Sequence, residues 1–260
     1  MAKQATVERI FILDGGVAQV EDGSIYSPGI NVGQPMTLSC NAYLIRHQGE
    51  WLLWDTGTGD DLVEEPEGRI IAPGIRGVVR KTLGSQLNEI GVTPDEIGSV
   101  AISHAHFDHV GNCRLFRTAR WIAQKAEHDA MFGPHPGDFG YETELYATMR
   151  HNPIELVVGD HDIFGDGAVR LIFTPGHTLG HCSLLVRLPE SGPVLLSGDV
   201  AHNRENFRCR RVPSFNADHA ATIASMEKVE TLLRTEKATM WVNHDAAQSE
   251  TLPHAPRWIV

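Results

Sequence analysis

Val100-Ala101-Ile102-Ser103-His104-Ala105-His106-Phe107-Asp108-His109 holds the densest chemistry in this chain. An apolar run of strand type feeds directly into three histidines and one aspartate within six residues. Neutral imidazole and carboxylate are both strong ligands for zinc and similar divalent metals. Four candidate ligands this close together cannot all reach one metal with good tetrahedral geometry. The spacing therefore predicts two neighbouring metals, with His104 and His106 on one and Asp108 and His109 on the other. Such a pair generates hydroxide at neutral pH and polarises the bond to be cut, which is hydrolytic chemistry.

Three more segments repeat the pattern of a short apolar strand ending in a ligand-type residue. Leu171 to Gly176 leads into His177, Val194 to Gly198 into Asp199, and Met240 to Asn243 into His244. A strand end suits a ligand because the sheet fixes its position while the side chain projects outward. Strands are expected over 7–13, 41–46, 51–55, 100–103, 120–123, 169–174, 182–188, 194–197 and 239–243, with 42–46 and 51–54 forming a hairpin. Helices are expected over 77–90, 124–131, 141–149 and 217–234, the last capped by Asn216 or Asp218. Strands interleaved with helices predict two sheets packed together with helices outside. Residues 60–76 and 132–140, rich in Gly and Pro, are expected to be irregular and exposed.

Composition sets limits on the function. A chain of 260 residues buries a sizeable core, and without a repeat or linker it is read as one domain, 1–260. The net charge of −11 argues against a broad nucleic-acid-binding face. The one basic cluster, Arg204, Arg208, Arg210 and Arg211, is read as ordinary surface ion pairs ahead of a site for an acidic partner. Cys40, Cys113, Cys182 and Cys209 are widely spaced, which argues against a disulfide framework or a cysteine-type zinc site. No stretch is long and apolar enough to span a membrane, and the start of the chain lacks the features of a secretion signal, so a cytoplasmic location is expected. The apolar ends, residues 1–13 and 258–260, suit either internal packing or a dimer face, which leaves monomer and homodimer both open.

These motifs, taken in order, resemble the metallo-β-lactamase-fold superfamily. The residues that carry the resemblance are Asp55-Thr56-Gly57, the H-x-H-x-D-H run, Thr174-Pro175-Gly176-His177-Thr178-x-Gly180-His181, Gly198-Asp199 and His244. The resemblance implies an αββα sandwich, two mixed sheets flanked by helices. It implies one metal on His104, His106 and His177, a second on Asp108, His109 and His244, and Asp199 bridging them. Zinc is the first expectation, and iron, cobalt and manganese suit the same ligands. Asp55 is expected to orient a ligand histidine, and His181 to have a structural or supporting part.

Asp199-Val200-Ala201-His202-Asn203-Arg204-Glu205-Asn206-Phe207 and Asn243-His244-Asp245-Ala246-Ala247-Gln248 look like segments of the N-acyl homoserine lactone lactonases. That resemblance implies attack of a metal-bridging hydroxide on a lactone carbonyl, with proton relay by Asp108 or Asp199 and no organic cofactor. The lactonases usually place a tyrosine three residues after the bridging aspartate; here His202 stands there, and it is expected to hydrogen-bond the substrate carbonyl. Residues 57–77, 132–141 and the surroundings of Phe215 are expected to line an acyl pocket. Alternatives are hydrolysis of another small lactone of pyridoxolactone type, of a thioester as in glyoxalase II, or of a phosphoester, and last a redox metal protein.

Overall fold

A computed structural model describes residues 5–260. The part of the leader-segment expectation that rests on residues 1–4 lies outside the described residues. A six-stranded mixed sheet has the order Arg9–Leu13, Ala42–His47, Glu50–Trp54, Ser99–Ala101, Arg120–Gln124, Ile154–Val157. Its first three strands are antiparallel and the rest parallel. A five-stranded mixed sheet runs His161–Asp162, Val169–Phe173, Cys182–Leu188, Gly192–Leu196, Thr239–Trp241.

Period-two alternation stacks these sheets. Ile10, Ile12, Tyr43, Ile45, Leu52 and Trp54 point from the first sheet into one core with Leu171, Leu184, Val186, Val194 and Leu196 of the second. The intervening residues Phe11, Leu13, Leu44 and Leu53 face the opposite way, onto Leu83 and Leu87 of the helix Leu83–Glu89 and Met131 of the helix Lys125–Met131. On the far side of the second sheet, Ile172, Leu185 and Leu195 meet Met226 and Val229 of the helix His219–Glu236. Each such side chain contributes about 2 kcal/mol through burial. The layers are therefore helix, sheet, sheet, helix, the expected αββα sandwich. Asp218 accepts from Ala221 N at the start of the long helix, as its sequence position suggested.

Three expectations are corrected. Residues 60–76 are largely ordered into regular structure. A 3-10 turn Asp60–Glu64 leads to the strand Arg69–Ala72, which turns at Pro73-Gly74 into the strand Ile75–Val78. That hairpin joins Val17–Val20 and Met36–Ser39 in a third, four-stranded antiparallel sheet. The helix expected from 77 begins only at Leu83, because Gly77 and Val78 pair with Ala18 and Val17. Within 141–149 only Thr143–Tyr146 is α-helical, and a 3-10 turn Ala147–His151 follows. At the chain end, Ile259 pairs with Ile10 through reciprocal backbone hydrogen bonds of 2.9 Å and packs against the core, while Trp258 stays exposed.

Candidate metal centre

The functional side chains gather where the connections leave the strands of both large sheets. Each of five histidines has one ring nitrogen tied to a neighbour. His106 Nε2 donates to the Phe139 carbonyl at 3.0 Å, and His244 Nδ1 to the Ser39 carbonyl at 2.6 Å. His177 Nδ1 donates to Asn216 Oδ1 at 2.9 Å, and His109 Nδ1 to Asp55 Oδ2 at 2.8 Å. His104 Nδ1 lies 3.0 Å from Ser103 Oγ. Fixing one nitrogen as the donor leaves the other as a lone pair facing inward, the arrangement that prepares imidazole for a cation.

The inward atoms form two clusters. His106 Nδ1 lies 2.9 Å from His104 Nε2 and 3.0 Å from His177 Nε2, and the latter two are 3.2 Å apart. Around the second centre, Asp108 Oδ1 is 3.7 Å from His109 Nε2, and Asp108 Oδ2 is 3.6 Å from His244 Nε2. Asp199 stands between the two. Its Oδ2 is 3.3 Å from His177 Nε2 and 3.8 Å from His104 Nε2, while Oδ1 is 3.2 Å from His109 Nε2 and 3.0 Å from His244 Nε2. His109 Nε2 and Asp199 Oδ1 are buried yet make no hydrogen bond. Orphaned atoms of this kind need a partner, since an unsatisfied buried polar group is costly. Two divalent cations fit this donor set.

Electrostatics agree. Burial pushes the pKa of His104, His106 and His177 down, which keeps them neutral as ligands must be. Burial also opposes charge on His109 and His244, but the nearby Asp199 and Asp108 outweigh it and raise both. Asp199 is lowered because its histidine neighbours overcome the cost of burial. A cation would take over from protons as the partner of these carboxylates.

Several residues hold these converging side chains in place. Asp55, in the left-handed region at φ 57°, accepts from Ser103 N at 2.7 Å and Ser103 Oγ at 2.9 Å besides His109. His181 Nε2 accepts from Asp199 N at 2.7 Å, and its Nδ1 donates to the Thr174 carbonyl at 2.8 Å. Burial lowers the His181 pKa to about 4.

Sequence reasoning missed Glu127. Its buried carboxylate accepts from Ala105 N (2.9 Å), Tyr141 OH (2.7 Å), Thr178 Oγ1 (2.7 Å) and Gly180 N (3.0 Å). It thus joins the loop of His104 and His106 to the loop of His177 and to the segment whose Phe139 carbonyl orients His106. A Cβ at Gly180 would sit 2.2 Å from Glu127 N, so only glycine permits this approach. A lone glutamate at a helix start gives no signal of such a part.

The structure brings all seven predicted ligands together and adds Cys40 and His202 to the same set of converging atoms. His202 Nε2 lies 3.1 Å from Asp199 Oδ2, and its ring stacks on His244 at 5.2 Å and packs against Tyr26 at 4.6 Å. Above them opens a cavity of about 760 Å³ walled by Tyr26, Ile71, Ile75, Phe107, Phe139 and Phe215. The regions expected to line it do contribute, while Ile25, Tyr26, Phe107 and Leu179 were not foreseen. The arginine cluster is paired: Arg204 with Asp245, Arg208 and Arg211 with Glu205, and Arg210 with Glu230.

Fold and centre together define a metallo-β-lactamase-type scaffold built for divalent metal. The model of the Metallo-beta-lactamase superfamily matches residues 36–235, and the chain belongs to that superfamily. Within it, the chain is 30% identical over 258 residues to the N-acyl homoserine lactonase AttM of Rhizobium johnstonii, covering 96% of this chain and 98% of the relative. It is 26% identical to the N-acyl homoserine lactonase AiiA of Bacillus thuringiensis subsp. kurstaki, covering 98% and 100%. A solved structure of an N-acyl homoserine lactone hydrolase, with the product N-hexanoyl-L-homoserine bound at its catalytic metal centre, superimposes with a TM-score of 0.85 at 26% identity, covering 98% and 100%. No helix among the described residues is long and apolar enough to cross a membrane.

Proposed function

We propose that this chain is a metal-dependent lactonase that opens the ring of N-acyl homoserine lactones by adding water across the ester bond. The observation that carries the reading is the split carboxylate of Asp199, one oxygen toward each histidine cluster, on the floor of a largely apolar cavity. In this reading His104, His106 and His177 hold one metal, Asp108, His109 and His244 the other, and Asp199 both; zinc is the first choice. Two such ions, when bound, supply Lewis acidity and acidify water at neutral pH.

The chain's own residues do the rest. The apolar walls take the acyl chain and exclude bulk water, which strengthens polar interactions at the floor. His202, whose pKa is lowered by burial, is neutral and donates a hydrogen bond to the carbonyl oxygen as charge develops there. Water oxygen bonds to the carbonyl carbon, the bond from that carbon to the ring oxygen breaks, and Asp108 or Asp199 carries the water's proton to the departing alkoxide. The product is the open hydroxy acid. The protein acts as a single domain on a small molecule, needs neither nucleic acid nor a membrane, and works in the cytoplasm.

The test is ring opening of a short- and a long-chain N-acyl homoserine lactone by metal-loaded protein, read by mass spectrometry as the gain of one water. Lactone opening that is lost on chelation supports the reading. Rapid cleavage of a glutathione thioester or a phosphodiester with no lactone opening overturns it.

A further inference from the structure

We propose that Cys40 is an additional ligand of the metal held by Asp108, His109 and His244, giving that site a sulfur donor. The proposal rests on the ligand assignment above.

Cys40 is fully buried, and its Sγ lies 3.5 Å from Asp108 Oδ2. The same oxygen lies 3.6 Å from His244 Nε2, and the ligand atoms of Cys40, Asp108 and His244 are all within 4.8 Å of one another. With Asp199 the site would hold five protein donors, and in a five-coordinate site with bonds of about 2.3 Å to sulfur and about 2.0 Å to nitrogen or oxygen the sulfur–oxygen edges run from about 3.0 to 3.7 Å and the nitrogen–oxygen edges from about 2.8 to 3.5 Å. The observed separations are those of one coordination shell. The second sign of a cation here is the pair of orphaned atoms, His109 Nε2 and Asp199 Oδ1, which face the same centre.

The backbone fixes the cysteine where it stands. Cys40 follows the strand Met36–Ser39, and the Ser39 carbonyl receives His244 Nδ1 while Ser39 Oγ donates to the Asn243 carbonyl at 2.6 Å. Cys40 N donates to the Gly16 carbonyl at 3.0 Å. A Cβ at Gly15 would lie 1.9 Å from the Cys40 carbonyl oxygen, so that glycine admits the close packing. The segment that aims His244 thus also carries the thiol to the same ion. Coordination releases the thiol proton to solvent. The resulting thiolate favours soft, thiophilic ions and slows loss of this metal relative to an all-nitrogen-and-oxygen site.

The test loads the full chain anaerobically with two equivalents of cobalt(II). The expected result is a sulfur-to-cobalt charge-transfer band in the near ultraviolet that survives in Cys209→Ser and disappears in Cys40→Ala, with visible cobalt bands retained in both. Chelator should strip one metal from Cys40→Ala about tenfold faster. Should Cys40→Ala fail to fold, zinc-edge X-ray absorption of the unaltered protein decides, through a sulfur shell at about 2.3 Å. Two bound cobalt ions without a charge-transfer band, or a zinc spectrum without sulfur, overturn the proposal and leave the ligand assignment standing. Failure to bind two metals at all overturns both.

Discussion

His181 offers its Nε2 lone pair to the backbone N–H of Asp199 at 2.7 Å, so the residue between the two clusters is aimed by a histidine that is itself no ligand in the proposed set. The bond requires a neutral ring, because a protonated imidazole has no lone pair to give. Burial supplies that neutrality by lowering the pKa to about 4, against about 6.5 when unfolded.

The sign of the pH effect follows. Above pH 6.5 both states are neutral at His181 and nothing is lost. As pH falls from about 6.5 toward 4, the unfolded chain takes up a proton that the folded chain refuses, so stability falls. Over that window the loss reaches roughly 3 kcal/mol. Denaturant unfolding of metal-free protein and of His181→Gln checks it. The stability advantage of the unaltered protein should shrink as pH drops from 7 to 4, and a constant advantage would refute the argument.

Glu127→Gln should destabilise the fold by about 1–3 kcal/mol, since the amide nitrogen must face Thr178 Oγ1 and Gly180 N or Ala105 N and Tyr141 OH, where a carboxylate accepted from all four. Affinity for the metal of His104, His106 and His177 should fall about 10–100-fold, more than for the other site. Melting curves and metal titration measure the two effects separately. Unaltered affinity in a folded variant would reduce Glu127 to a packing residue.

His202→Ala should lower kcat/KM for lactone opening roughly tenfold to a thousandfold, with two metals still bound. Steady-state kinetics with metal analysis provides the check, and an unchanged rate would make His202 a bystander.

Removing the metals should lower the melting temperature as well as abolish hydrolysis, because Asp199, Asp108 and five histidines lose the cations that neutralise and bridge them. Scanning calorimetry with and without chelator tests this, and zinc added back should restore both properties. Equal melting temperatures would mean that protons replace the ions without cost.

The convergence of the seven proposed ligands was legible because the motif packs four of them into six residues and the other three each end an apolar strand. The two large sheets were legible because Tyr43, Ile45, Leu52 and Trp54 alternate with residues of the opposite face. The third sheet was not, since its strands have only four residues each and the Arg69–Val78 hairpin lies among acids, prolines and glycines that read as loop. Asp55 was read as a ligand-orienting residue from its turn motif. Glu127 and Cys40 were not read as parts of the centre, because their importance comes from long-range closure of the fold. A cysteine without a C-x-x-C partner gives no sign that a short strand will deliver it to Asp108, 68 positions away.

The small sheet has a consequence for how this protein can change. Its hairpin lends Ile71 and Ile75 to the cavity wall, and three strands across, Val78 stands opposite Val17, which stands opposite Ser39. Ser39 steers His244, and Cys40 follows it. Taste and grip therefore share one lever: an insertion or register slip that reshapes the cavity for a new guest travels along the same hydrogen-bonded rungs to the residues beside His244. Variants that widen the guest range through this sheet should also weaken the hold of His244, whereas changes near Phe215 should act on His177, whose ring packs against Phe215 and whose Nδ1 bonds the adjacent Asn216.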